Sequence, residues 1–120
     1  MEFNQQEASQ NSIVSIDNSQ VNLSHATLKT PCFISPTYHQ EIEALSIDQL
    51  DKALLFPLSV KDNIDLLIIG TGAQPTFLSP QQQLLFQQMG MGVECMTNES
   101  ASRSFNLLLS DARLVGVLLL

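Results

Sequence analysis

Hydrophobic and polar residues alternate in short runs through the first part of the chain. These runs cover residues 12–16, 21–24, 31–35 and 38–43. Alternation of this kind is typical of half-buried β-strands. Asp17-Asn18-Ser19-Gln20, between the first two runs, favours a turn because Asp, Asn and Ser side chains hydrogen-bond their own backbone. The first part is therefore predicted to form two antiparallel hairpins, the second of them interrupted at Pro36, which cannot donate to a strand ladder.

The pattern takes on a helical period at Ser46. The segment from Ser46 to Gln49 fits a capping box, in which the serine and glutamine side chains satisfy backbone amides of the first helical turn. Ile47, Leu50 and Leu54 follow at helical spacing. We expect this helix to end at Pro57, because proline removes a helical hydrogen bond.

Three apolar runs and two helical patterns alternate through the rest of the chain. The runs predict strands at residues 64–69, 93–96 and 114–120, the first of them covered on both faces. A second capping box, from Ser79 to Gln82 with Pro80 in the first helical position, begins the helix between the first two runs, and Gly90 ends it.

The second of these helices is expected to begin at Thr97 or Asn98. Ala101, Phe105, Leu108 and Ala112 then recur at the spacing of one helical face. This face is predicted to pack on the sheet.

The β-α-β-α-β order after residue 64 determines the expected topology. Right-handed crossovers make its three strands parallel neighbours, and the N-terminal hairpins add antiparallel strands to the sheet or cap it. We predict a three-layer α/β fold with a mixed central sheet. Residues 12–120 are expected to form one domain, and residues 1–11, which lack periodicity, a flexible arm.

The charge composition narrows the possible functions. The chain has 12 acidic and 5 basic residues, a net charge of -7, and only 14% charged residues. So few basic side chains cannot build a surface for a nucleic-acid backbone. Cys32 and Cys95 lack metal-ligand or redox spacing, so we expect reduced core cysteines and no metal site. The sequence begins without the features of a signal peptide, and the apolar run at residues 114–120 is too short to span a membrane. These features predict a cytoplasmic protein.

Candidate chemistry concentrates where the predicted parallel strands end. Ligands of open α/β sheets bind at this edge, and here it carries Gly70, Thr71 and Gly72 after one strand and Thr97 and Asn98 after the next. A nucleotide loop is not indicated, because Pro75 stands where the dinucleotide motif needs a third glycine and the P-loop lysine is absent. Two interpretations remain: a sterically tight strand exit, or another pocket or contact surface, where the N-termini of two helices offer amides to an anion or a carboxylate.

Arg103 is the most informative charge because basic residues are scarce. It follows Glu99 by four residues, the spacing of an intrahelical ion pair. Alternatively, Arg103, Thr97, Ser102 and Asn106 form a polar recognition patch beside the glycine-rich strand exit. No arrangement of nucleophile, base and acid is evident, so we assign neither a catalytic residue nor a cofactor.

Four segments together resemble one known family. They are Leu66–Gly72, Leu78–Pro80, Val93–Thr97 and Ala101–Asn106. The family includes mitochondrial complex I assembly factor three, the adipogenesis-associated domain protein and many small uncharacterised bacterial and archaeal proteins. The resemblance implies a three-layer α/β fold, no established enzymatic activity and protein partners.

This chain keeps the arginine and asparagine of the family pattern as Arg103 and Asn106. It has Ser102 for the family's cysteine, Ser104 for threonine and Phe105 for tyrosine. These departures argue against thiol or phenol chemistry at this helix and leave a binding role intact.

The predicted function is accordingly that of a non-enzymatic interaction domain resembling a respiratory complex I assembly factor. Its expected partners are proteins, including subunits of a membrane respiratory complex through which the chain would sit peripherally at the membrane. A homo-oligomer is compatible with the sequence. The alternative is a small-molecule or anion-binding domain, or a minor enzyme, that uses the same strand-end edge.

Overall fold

The computed structural model describes residues 10–17, 19–43 and 46–120. Within these ranges the chain forms eight strands, three α-helices and two short 3₁₀ turns. In chain order the strands and helices are β1 (Ile13–Ile16), β2 (Gln20–Leu23), β3 (Thr27–Lys29), β4 (Cys32–Ile34), β5 (His39–Glu41), α1 (Lys52–Ser59), β6 (Leu66–Gly70), α2 (Pro80–Gln88), β7 (Gly92–Met96), α3 (Asn98–Ser110) and β8 (Val115–Leu119). The 3₁₀ turns, Ile47–Gln49 and Lys61–Asn63, flank α1.

The strands form two sheets. β1, β2 and β3 make a small antiparallel sheet, and the other five pair in the order β5-β4-β8-β6-β7. β6 runs parallel to both β7 and β8, with Ile68 opposite Glu94 on one side and Val117 on the other. β4 is antiparallel to β5 and β8. The predicted mixed sheet with a parallel C-terminal unit is confirmed.

The five-stranded sheet is the middle layer of the molecule. One face packs against α1 and α2, where Leu67 and Leu118 meet Leu55 and Phe86. Side chains on the other face of the sheet, such as Ile68, pack against α3 and the small sheet. All five residues of β8 are buried, because this strand is covered on both faces and paired on both edges.

The two N-terminal hairpins have different positions. The first, β1–β2, is extended by β3 into the small sheet, and the second, β4–β5, adds an antiparallel edge to the main sheet. Pro36 lies in the loop of the second hairpin. The sequence pattern did not predict β3, because three residues are too few to establish an alternation.

The expectation that Pro57 ends its helix is wrong. α1 begins after Asp51, whose carboxylate accepts a hydrogen bond from the Leu54 amide at 2.9 Å, and it continues through Pro57 to Ser59. Proline leaves the carbonyl of Ala53 without its helical donor. Ala53 and Pro57 are both exposed, so water can hydrogen-bond that carbonyl in place of the missing amide.

The buried face of α3 also differs from the prediction at its C-terminal end. Ala101 and Phe105 are buried as expected, but the next buried residue is Leu109, and Leu108 is only partly covered. Ala112 lies beyond the helix with φ of 60°. The helix therefore ends before the last predicted repeat of its apolar face.

The predicted flexible arm falls mostly outside the described residues, which begin at residue 10. Asn11, which we assigned to that arm, is buried. Its side-chain Nδ2 donates to the carbonyls of Ser35 and Tyr38 at 3.0 and 3.1 Å, and its backbone N donates to Pro36 O at 3.0 Å. The folded domain thus includes residue 11. Of the helices in the described ranges, none has the length and apolar character that a bilayer span requires.

Candidate functional site

The parallel strands β6 and β7 end side by side, as the sequence predicts, and their exits form a common rim. We use the word rim for residues Gly70–Gly72 and Thr97–Asn98. The backbone N of Thr71 donates to Met96 O, and the backbone N of Asn98 donates to Gly72 O, both at 2.9 Å. The structure therefore brings four of the predicted site residues together: Gly70, Thr71, Gly72 and Thr97.

Asn98 connects the rim to β8, a role that its sequence position as a candidate helix cap did not reveal. Its Oδ1 accepts from Gly72 N at 3.0 Å, and its Nδ2 donates to Leu120 O at 3.1 Å. One side-chain amide thus satisfies backbone groups from two different segments. The signal in the sequence for this bridge is an asparagine that directly follows a strand and the threonine that caps the next helix.

Gly70 is required by close packing at this point. A Cβ atom added to it would lie 2.3 Å from Asn98 Oδ1 and 2.8 Å from Leu119 Cδ2. Real Cβ atoms are essentially never found at such distances. The strand exit is therefore sterically tight, as one of the two sequence interpretations proposes.

The segment after β6, residues 71–79, is folded back on Thr71, and we call it the rim loop. Thr71 Oγ1 donates to Gln74 O at 2.7 Å and accepts from Thr76 N at 3.1 Å. Gly72 has φ of 87°, a conformation that favours glycine. The loop carries Phe77, whose surface is 80% exposed.

A cleft of about 400 Å³ opens beside the rim. Its lining residues come from the rim, the β1–β2 turn, the start of α3 and the end of β8: Ile16, Asp17, Gly72, Ala73, Thr97, Asn98, Glu99 and Leu120. Two of them, Asp17 and Glu99, are acidic. The backbone amides of Ser19 and Gln20 each donate to the Asp17 carboxylate at 2.9 Å and lower its pKa. The cleft is thus negatively charged at neutral pH.

The N-terminus of α3 has few donors left for an anion. Thr97 caps it, with its Oγ1 accepting from Ser100 N at 3.3 Å and its carbonyl accepting from Ala101 N at 2.8 Å. The amide of Asn98 is bound to Gly72 O, and the adjacent Glu99 already complements the helix dipole. This arrangement disfavours an anionic ligand at the cleft.

Ser102 and Asn106 are placed differently from the predicted recognition patch. Ser102 is buried, and its Oγ donates to the carbonyl of Asn98 at 2.9 Å. The side-chain amide of Asn106 binds both backbone groups of Ile13, accepting from its N and donating to its O at 2.8 Å each. Asn106 therefore acts as a substitute strand partner for β1 and holds the small sheet to α3.

Arg103 makes the ion pair that its spacing indicates. Its Nη1 lies 3.4 Å from Glu99 Oε1, with the two side chains 67% and 79% exposed, and its Nη2 donates to Ser100 Oγ at 3.3 Å. An exposed pair of this kind contributes little stability. The guanidinium remains accessible to solvent beside the acidic side of the cleft.

The cysteines are not activated. Burial, assisted by the nearby Glu41 carboxylate, raises the pKa of Cys32 to about 12, and burial also raises the pKa of Cys95. Raised thiol pKa values suppress the nucleophilic thiolate. Over the part of the chain that the structure covers, no three His, Cys, Asp or Glu side chains converge as a metal site would require.

Sequence comparison places the chain among known but functionally undescribed proteins. The family model described as protein of unknown function (DUF498/DUF598) matches residues 13–120. An uncharacterized protein of Rhodobacter capsulatus is 40% identical over 57 residues, a match that covers 48% of this chain and 46% of that protein. The matched region thus spans about half the length of that curated relative.

Solved structures share the fold at low sequence identity. A Bordetella parapertussis protein superposes with a TM-score of 0.82 at 23% identity, covering 93% of this chain and 96% of that one. A Bartonella henselae outer membrane protein gives 0.80 at 22%, covering 92% and 94%. A Mth938-like domain of Bordetella pertussis gives 0.76 at 21%, covering 92% and 85%. At these identities the likeness concerns the fold alone.

Proposed function

Because the chain belongs to the DUF498/DUF598 family, whose function is unknown, we propose a function on the basis of the rim's geometry. The chain is a non-enzymatic interaction domain whose rim loop and cleft bind a partner protein. The apolar anchor of this contact is Phe77, and the acidic cleft beside the rim selects basic side chains of the partner. Gly70, Thr71, Gly72 and Thr97 belong to the rim, and Arg103, exposed beside the cleft, contacts the partner. Ser102 and Asn106 serve the fold of α3 and the small sheet instead.

The single observation that carries the proposal is the exposure of Phe77. Phe33, Phe86 and Phe105 are each at most 1% exposed, whereas Phe77 is 80% exposed. An aromatic ring offers about 150–250 Å² of surface for burial, and such residues dominate the energetics of interfaces. A phenylalanine presented to solvent on the loop that also carries Gly72 and Ala73 of the cleft is therefore well suited to anchor a partner.

The rim loop supports this contact because it is already ordered. The two hydrogen bonds of Thr71 Oγ1, to Gln74 and Thr76, fold the loop on itself. The backbone N of Thr71 holds its start to Met96 of β7, and the side-chain amide of Asn98 joins Gly72 to Leu120 after β8. Ordering a loop on binding consumes free energy that would otherwise stabilise the complex. A loop that is ordered in the free protein avoids much of that loss.

The charge of the cleft favours a basic partner surface. Asp17 and Glu99 line it, and the chain as a whole has a net charge of -7. Complementary charge raises the rate of encounter and rejects acidic competitors. The resemblance to complex I assembly factors suggests the class of partner, namely a subunit of a respiratory complex during its assembly.

The second candidate function is binding of a small molecule at the same cleft. The volume of about 400 Å³ lies within the range of about 300–1,000 Å³ of ligand pockets. The two carboxylates and the occupied amides of α3 make a cation the better ligand, whereas the sequence suggested a small molecule or an anion.

Replacement of Phe77 tests the proposal. Affinity purification of wild type from native cells identifies partners, and their dissociation constants are then measured with purified proteins for wild type, Phe77→Ala and Leu114→Ala. Leu114 is the control because it is 46% exposed and precedes β8, at the opposite end of the parallel strands. We expect Phe77→Ala to weaken binding about tenfold or more, corresponding to about 1.4 kcal/mol, and Leu114→Ala to leave it unchanged. Equal affinity of all three proteins would refute the proposal.

A thermal-shift screen tests the small-molecule alternative. A ligand at about 100 times its dissociation constant adds about 2.7 kcal/mol of stability. Stabilisation by a cationic compound that disappears in Asp17→Asn would support the alternative. A panel of cations, anions and nucleotides without any shift would eliminate it.

A further inference from the structure

A groove of about 250 Å³ lies between α1 and α2, on the face of the main sheet opposite α3. Six side chains line it: Lys52, Phe56, Ser59, Leu85, Gln88 and Met89. The first three recur along one face of α1, Leu85 and Gln88 lie on α2, and Met89 is the residue that caps the C-terminus of α2. The groove is therefore formed by two helices side by side, the arrangement that accepts an amphipathic segment in helix-in-groove recognition.

The floor of the groove is apolar and adaptable. Phe56, Leu85 and Met89 provide it, and Phe56 is 52% exposed. Methionine is unbranched and flexible, so it adjusts to the shape of an inserted side chain. Burial of the exposed part of Phe56 is the main apolar gain available to an occupant.

Lys52 supplies the charge that specifies the occupant, because it is the one charged side chain among the six lining residues. The neighbouring acids are engaged elsewhere: the Asp51 carboxylate caps α1 at the Leu54 amide, and Asp48 accepts from Ser46 Oγ at 2.6 Å. The ion pair found in the described ranges joins Arg103 and Glu99, not Lys52. A carboxylate of the occupant complements this lysine.

Size and charge favour a protein segment over a small molecule or a second copy of this chain. The groove is smaller than the pockets of about 300–1,000 Å³ that hold small molecules, and it suits one bulky side chain. A second copy of this chain in a two-fold contact would present the same patch. That patch has no acidic residue to meet Lys52, so charge complementarity favours a different protein.

We propose that the α1–α2 groove binds an amphipathic segment of a partner protein, which inserts one bulky apolar side chain between Phe56, Leu85 and Met89 and places a carboxylate against Lys52. This site is separate from the rim and from Phe77. The chain thereby has two docking surfaces of opposite charge preference, one for a basic and one for an acidic partner segment.

Selection from a random peptide library displayed on phage, with the intact chain as bait, tests this inference. We expect the enriched peptides to share a Phe, Leu or Trp accompanied by Asp or Glu. Synthetic copies should bind Phe56→Ala about tenfold more weakly than wild type. Leu114→Ala is the control, because it removes an exposed apolar side chain outside both the groove and the rim, and it should bind these peptides as wild type does. Because Phe56 is half exposed and alanine favours helix, Phe56→Ala should fold, which circular dichroism verifies.

A charge exchange provides the second measurement. Lys52→Glu should weaken the binding of the acidic peptides. Replacing the Asp or Glu of those peptides by Lys should restore their binding to the Lys52→Glu variant. The inference is overturned if no peptide is enriched, if Phe56→Ala binds as wild type does, or if Lys52→Glu keeps the same charge preference. It is also overturned if sedimentation shows a dimer that Phe56→Ala dissociates, since a second copy would then occupy the groove.

Discussion

Replacement of Gly70 by alanine tests whether the rim is held by steric fit. The added Cβ would lie 2.3 Å from Asn98 Oδ1 and 2.8 Å from Leu119 Cδ2, so the amide of Asn98 must move. Its movement breaks the hydrogen bonds to Gly72 N and Leu120 O. Overpacking costs about 1–3 kcal/mol, and each lost hydrogen bond about 0.5–1.5 kcal/mol. We expect a loss of about 2–6 kcal/mol in the free energy of unfolding.

Urea denaturation measures this loss, and Gly92→Ala is the matched control. A Cβ at Gly92 meets Leu66 Cδ1 at 3.2 Å, the end of a side chain that can shift, so we expect a change below about 1 kcal/mol. The double variant Gly70→Ala/Asn98→Ala should be more stable than the sum of the two single changes predicts, because the clash with Oδ1 is absent. Stability of Gly70→Ala within about 0.5 kcal/mol of wild type would refute the steric argument.

Three further predictions concern residues outside the strand exit. Asn106→Ala leaves the backbone N and O of Ile13 without their hydrogen-bond partners. It should reduce the free energy of unfolding, measured by urea denaturation, by about 2–4 kcal/mol. A change below about 0.5 kcal/mol would contradict the structural role of Asn106. Burial raises the pKa of Asp62, but hydrogen bonds from Ser35 and Thr37 outweigh it and lower the pKa overall. Stability from this carboxylate is therefore present above the ordinary aspartate pKa of about 3.9 and lost as the pH falls through the lower folded value. Asp62→Asn should flatten that acid-side loss in pH-dependent denaturation, and an unchanged profile would contradict it. Cys32, with its pKa raised to about 12, should resist thiol reagents at pH 8 until the protein unfolds; labelling of the native protein at the rate of a free thiol would contradict its burial.

The C-terminal half could be predicted because its signals are local. Ser79 and Gln82 form the expected capping box, with Gln82 N donating to Ser79 Oγ at 3.1 Å and Ser79 N donating to Gln82 Oε1 at 3.0 Å. Gly90 follows the helix with φ of 68°, and Thr97 caps the next one. Each of these positions depends on neighbours within a few residues, so a single sequence suffices to recognise them.

The missed features depend on partners far along the chain. The amide of Asn106 meets Ile13 across 93 residues, and Asn11 reaches the Ser35–Tyr38 loop. An asparagine side chain is compatible with a helix cap, a turn or a solvated surface, so its residue type alone does not identify such a partner. For the same reason, the sequence grouped Ser102, Arg103 and Asn106 into one patch, whereas the fold directs each to a different neighbour.

The position of β8 has a consequence for how the protein is made. This strand lies between β4 and β6 in the sheet, yet it follows all the other strands in the chain, so it leaves the ribosome after them. Until it emerges, the β4–β5 hairpin and the β6–β7 pair have no strand to join them, and their apolar faces lack a common core. Such non-local pairing slows folding. Completion of the central sheet is therefore a late event, and a nascent chain halted before Val115 should expose apolar surface to chaperones.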